Sequence, residues 1–132
     1  MKKRRTQGIL LAAAALTAIG LVAQAPKISF ATGVQPILDR ECTKCHDSKE
    51  HKGRLDLGAS AAYKNLVGVP SAEVETMLRV KAGDPEASYL WLKLQHRAEK
   101  GSGMPKGLFF AKQLSAQEMD LIKAWIEGGA QP

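Results

Sequence analysis

The chain is 132 residues long, 45% hydrophobic but only 5% aromatic, with two cysteines and a formal charge of +6. That length leaves room for one domain of about a hundred residues behind a leader, and a domain so small buries only about two-thirds of the surface its unfolded chain exposes. The charge gives no support to a nucleic-acid role: five of the nineteen Lys and Arg (Lys2, Lys3, Arg4, Arg5 and Lys27) lie in the first 31 residues, and without them 14 basic residues face 13 acidic ones.

Residues 1–31 read as an export signal. A basic start, Met1-Lys2-Lys3-Arg4-Arg5, precedes an apolar run over residues 8–23 that only Thr17 and Gly20 interrupt, which is the plan of a secretory signal peptide. The run is short for a membrane span, which needs about 20 apolar residues. Three outcomes stay open: cleavage after Ala23, cleavage after Ala31, or retention as an N-terminal anchor. The small-x-small triplet Ala23-Gln24-Ala25 is followed by Pro26, an awkward residue at a scissile bond. The expectation is a signal over 1–31 and a periplasmic domain over 32–132, touching the membrane only through the N-terminal segment if that segment is kept.

Residues 35–40 are predicted to form a short helix, with Val34, Ile37, Leu38 and Glu41 at helical spacing and Pro36 in the first turn, where amides lack partners anyway. This helix delivers Cys42-Thr43-Lys44-Cys45-His46. In such a run two thiols can add to the two vinyl groups of one haem while the adjacent imidazole meets its iron. No other cysteine exists in the chain to form a disulfide with either. A zinc site would recruit Cys42, Cys45 and two of His46, His51 and His96. A thiol-disulfide active site would need a strand-to-helix junction beside a sheet, and no sheet is predicted. Covalent haem attachment explains the contiguity of the three residues in an exported chain, and a central haem would supply much of a small core.

Beyond the motif, residues 47–54 read as a charged surface loop, Leu55 and Leu57 return to the core, and residues 59–66 suit a short helix. Ser71 is placed to cap a helix carrying Val74, Met77 and Leu78 on one face. Asp84 is a natural cap with Pro85 at the first helical position, so residues 88–94 are predicted helical although their alternation also suits a strand. Residues 97–107, with glycines at 101, 103 and 107 around Met104-Pro105, form a loop. Ser115 and Glu118 then make a capping box, with Leu114 placed to staple onto Met119. Leu121, Ile122, Trp125 and Ile126 line one face of this last helix, and Gly128-Gly129 ends it.

Met104 is the candidate sixth iron ligand, because a Gly-flanked loop can cross a haem face and Met opposite His raises the reduction potential relative to a second His. Met77 and Met119 fall on apolar helical faces and read as core. His51 lies too near the attachment side. His96, just before the loop, is the rival ligand. Trp91 and Trp125 read as core; Arg54, Arg79 and Lys81 are possible partners for haem propionates, with solvated surface as the default. Lys44, between the cysteines, would lie near an exposed haem edge and help steer an acidic partner.

Taken together, Val34-Gln35-Pro36-Ile37-Leu38, Cys42-Thr43-Lys44-Cys45-His46, Gly53-Arg54-Leu55-Asp56-Leu57, Gly83-Asp84-Pro85 with Ser88-Tyr89-Leu90, Met104-Pro105, and Leu114-Ser115 with Trp125-Ile126-Glu127-Gly128-Gly129-Ala130 resemble the class I c-type cytochromes, and more closely the cytochrome c-like domain common in planctomycete proteins. The resemblance implies an all-α fold: a small helical domain wrapped around one covalently bound haem c, with crossing N- and C-terminal helices. It also implies Cys42 and Cys45 as thioether sites, His46 as proximal ligand and Met104 as distal ligand. The expected function is a mono-haem electron carrier serving redox partner proteins rather than an enzyme. The alternative is a haem-based sensor or peroxidase-like enzyme, in which Met104 does not bind and His96 stands near an open iron.

Overall fold

Pro36 occupies the first turn of a helix, α1 (Gln35–Glu41), where the sequence places it. This structure is a computed structural model that describes residues 27–50, 52–107 and 112–132; the expected signal up to Pro26, and His51, lie outside those residues. Ahead of α1 runs a π-helical turn, Phe30–Val34, which the sequence reading assigned to the end of the leader and the start of the domain. Phe30 belongs to the core. It is 5% exposed, and its ring lies 5.3 Å from Tyr63 and 5.2 Å from Trp125, centroid to centroid.

The second helix, α2 (Ala62–Leu66), is shorter than predicted. Two side-chain amides tie the first half of the chain together: Asn65 Nδ2 donates to the Asp56 carbonyl at 2.9 Å and Gln35 Nε2 to the Leu57 carbonyl at 3.0 Å. Leu57 is thereby fixed in the core, 2% exposed.

Residues 71–80 do not form the predicted helix. The Ser71 hydroxyl does accept from the Glu73 and Val74 amides, but the segment then turns back, Ser71 N donating to the Met77 carbonyl and Arg79 N to the Val69 carbonyl. Isolated bridges join Val67 to Val80, Pro70 to Leu78 and Leu78 to Ser88. Pairing with Val67–Pro70 on one side and Ser88 on the other satisfies the backbone groups that a helix would have used. Among the described residues these bridges are the only strand-like pairing.

The third helix, α3 (Tyr89–Leu94), is a helix and not a strand, yet it begins later than Pro85. Asp84 Oδ1 accepts from the Ala87 amide and so closes a separate turn. The hydroxyl of Ser88, fully buried, accepts from Lys81 N at 2.9 Å and donates to the Asp84 carbonyl at 2.7 Å. It anchors that turn instead of capping α3.

The last helix, α4 (Ala116–Glu127), starts at the predicted capping box: Ser115 Oγ accepts from Glu118 N, and the Glu118 carboxylate accepts from Ser115 N at 2.9 Å. Leu114 is buried and Met119 packs against the same core. Ile122, Trp125 and Ile126 are each at most 1% exposed. α4 packs against the start of the chain at Gly33, where a Cβ would lie 3.4 Å from Leu121 Cδ2. The N- and C-terminal segments thus meet, and the described residues form an all-α fold.

Glu118 also pairs with Arg40 of α1. Hydrogen bonds from Ser115, joined by the Arg40 guanidinium, hold its carboxyl below the usual glutamate range. A carboxyl depressed on folding contributes stability above its unfolded pKa of about 4.3 and loses it as pH falls through the lower folded value. Glu118→Gln is therefore expected to lower stability at pH 7 by a few tenths to about 1 kcal/mol. Guanidinium titrations at a series of pH values should show that deficit closing below about pH 4.

Candidate functional site

α1 runs directly into the Cys42–His46 turn. Cys42 N donates to the Leu38 carbonyl at 2.8 Å, continuing the helix, and Cys45 N and His46 N both donate to the Cys42 carbonyl, at 3.1 and 3.0 Å. One turn of backbone therefore holds both sulfurs and the imidazole. The thiols are free of each other. Cys42 is half-buried and packs against the core; burial, and next the charge of Glu41, push its thiol up to about 12. Cys45 is exposed.

The chain after His46 folds back on the turn. Asp47 Oδ1 accepts from the amides of Lys49 and Glu50 at 2.8 and 2.7 Å, and Lys52 N donates to the Cys45 carbonyl at 3.2 Å. This brings the Lys52 carbonyl 2.7 Å from His46 Nδ1. A carbonyl only accepts, so Nδ1 carries the proton and the lone pair of the neutral ring is on Nε2. Such an outer partner fixes the tautomer and orientation of a metal-binding histidine.

Met104 is half-buried on the loop after α3, with Pro105 buried behind it. Its amide donates to the Lys93 carbonyl at 2.9 Å. His96 sits against the same loop: its Nε2 donates to the Met104 carbonyl at 3.2 Å, and a Cβ on Gly103 would stand 2.6 Å from its Cδ2. His96, the rival ligand, thus touches the loop that carries Met104.

Of the possible propionate partners, Arg79 donates to the carbonyls of Asn65 and Arg54 at 2.8 and 3.2 Å, and Lys81 pairs with Asp84 at 3.1 Å. Arg54 and Arg79 line a cavity of about 410 Å³ with Ser71 and Glu75. Trp91 and Trp125 are core, as expected, and Lys44 is exposed. Among the described residues no group of three His, Cys, Asp or Glu side chains is placed to hold a metal ion; His51 of the zinc alternative lies outside them.

Two unpaired thiols and an imidazole with Nε2 left over, all on one turn, are the donor set that a covalently attached haem requires. The family model for cytochrome c matches residues 30–129. The chain belongs to the cytochrome c family. It is accordingly a haem-binding electron-transfer protein with covalently attached haem c. Neither curated proteins nor solved structures give a match. As a cytochrome c it places two features that side-chain patterns do not announce. The Lys52 carbonyl is main chain and has no sequence signature. The role of His96 had one faint sign, the glycine that its ring requires at 103.

Gly103→Ala is expected to cost about 1–3 kcal/mol by crowding the His96 ring. In a His96→Ala background the same change should cost clearly less, a coupling that a double-mutant cycle from guanidinium denaturation of the holoprotein measures.

Proposed function

We propose that this cytochrome is an exported mono-haem electron carrier in which Cys42 and Cys45 form the two thioether bonds, His46 Nε2 is the proximal ligand and Met104 the distal one. The observation that carries the reading is the Nδ1 hydrogen bond of His46 to the Lys52 carbonyl at 2.7 Å, which turns the other ring nitrogen into the donor. When bound, haem c supplies an iron that cycles between the ferric and ferrous states. The protein's own part is to hold that iron still. His46 is fixed by its outer partner, Met104 is carried on a loop tied to α3, and neither tie depends on a substrate entering.

Support for a carrier over a sensor or peroxidase comes from the loop that carries Met104, which is tied by the Met104 amide to the Lys93 carbonyl and by the Met104 carbonyl to His96 Nε2. The order of motifs along the chain supports the planctomycete-type domain as the subclass. Export to the periplasm rests on the basic and apolar leader. Phe30 in the core supports a domain that starts no later than Ile28, favouring a cut after Ala23 over one after Ala31. Among the described residues no helix is long and apolar enough to cross a membrane. The partners are other redox proteins, which the nearly balanced charge of the domain does not further specify.

Met104→Ala tests the ligand set. The variant is expected to lose the weak far-red ferric band of sulfur ligation, to bind carbon monoxide when reduced, and to fall in reduction potential. His96→Asn should keep the band and the inertness. The reverse pattern, with His96→Asn opening the iron, would contradict the assignment.

A further inference from the structure

Lys93 is the one basic side chain buried in the described core: 9% of it is exposed, although it ends in an ammonium. Burying a charge is costly unless it is paired and hydrogen-bonded. Here all three donors are used. Nζ donates to the carbonyls of Lys100 and Ser102 at 2.7 and 3.1 Å and pairs with the Glu73 carboxylate. Tyr89, one turn earlier on the same face of α3, braces the group: its hydroxyl lies 2.7 Å from Glu73 Oε2 and 2.9 Å from the Lys100 carbonyl. The ammonium stands 5.1 Å from the centroid of the Tyr89 ring.

Everything this cluster grips is the methionine loop. Residues 100 and 102 are held by the Lys93 side chain, and residue 104 by the Lys93 carbonyl through the Met104 amide. Gly101 passes between them with φ +68, and a Cβ there would lie 2.6 Å from Lys93 Nζ and overlap the Glu73 carboxylate. None of these residues belongs to the Cys42–His46 turn, so attachment of the haem does not account for them.

We infer that Lys93, braced by Glu73 and Tyr89, is the positioning residue for Met104, a latch that keeps residues 100–104 closed so that the thioether stays on the iron. The inference rests on Met104 being the sixth ligand. An iron–thioether bond on a loop has a closed and an open form, and whatever holds the loop sets their ratio. Breaking the latch raises the open population and leaves the proximal side untouched.

The test uses ferrous holoprotein and reads carbon monoxide binding by stopped flow, together with the potential and the far-red ferric band. Four variants are compared with the wild type: Lys93→Gln, the double Glu73→Gln with Lys93→Gln, Tyr89→Phe, and Met104→Ala. The first two are expected to bind carbon monoxide at least about tenfold faster than the wild type, since charged hydrogen bonds of this kind are lost, with a weaker band and a lower potential. Tyr89→Phe should move the same way by less. The double variant removes both charges of the ion pair, so a change there reports the latch and not the local charge. A lower denaturation midpoint with wild-type inertness, band and potential would mean that Lys93 is only structural and would overturn the inference. Should Lys93→Gln give no folded holoprotein, Tyr89→Phe decides, and wild-type inertness there overturns it equally. If Met104→Ala opens the iron while the latch variants do not, only the latch is refuted. If Met104→Ala itself behaves as wild type, the ligand assignment fails and the latch with it.

Discussion

The hydrogen bond between His46 Nδ1 and the Lys52 carbonyl, 2.7 Å long, is the constraint on which the rest of the site depends. Without it the imidazole could turn or present either nitrogen. With it the ring is oriented and Nε2 is the donor. Its geometry draws on separate parts of the chain: α1 delivers the turn, the loop after His46 folds back through Asp47 and Lys52, and Leu57 N donating to the His46 carbonyl at 2.8 Å ties that loop to the core. The turn that carries His46 is thus built from backbone hydrogen bonds on a helix end.

The loop that carries Met104 is built differently. Residues 100–104 have no regular structure, and their order comes from side chains: His96 beneath Gly103, and the ammonium of Lys93 among loop carbonyls. A loop held this way can be tuned without disturbing covalent attachment, because the two sets of residues do not overlap. The ion pair fits that role: Lys93 is buried while the Glu73 side chain is 40% exposed, so the pair fastens the loop from the edge of the core.

How much of this was legible in the sequence follows from the range of the interactions. The Cys42–His46 motif and the Ser115–Glu118 capping box were readable because each is complete within a few residues. Residues 71–80 were misread because Ser71 and the spacing of Val74, Met77 and Leu78 satisfy a helix locally, while the winning partners, Val67–Pro70 and Ser88, lie elsewhere in the chain. Asp84 does cap, but a separate turn, since its carbonyl accepts from the Ser88 hydroxyl and not from a helix amide. Phe30 was hidden by its closeness to the leader. The Lys93–Glu73–Tyr89 cluster left no pattern at all, because an isolated lysine on a short amphipathic helix looks like surface until the loop that covers it is in place.

The central claim is a covalently held haem with both axial positions filled by the protein. It is tested most directly on the purified wild-type protein, by recording ferric and ferrous spectra with and without carbon monoxide and then extracting with acid acetone. The account predicts haem that stays with the protein, a weak far-red ferric band and no shift on adding carbon monoxide. Haem that extracts would contradict covalent attachment, and haem that stays but binds carbon monoxide readily would replace the electron carrier with a sensor or an enzyme working at an open iron.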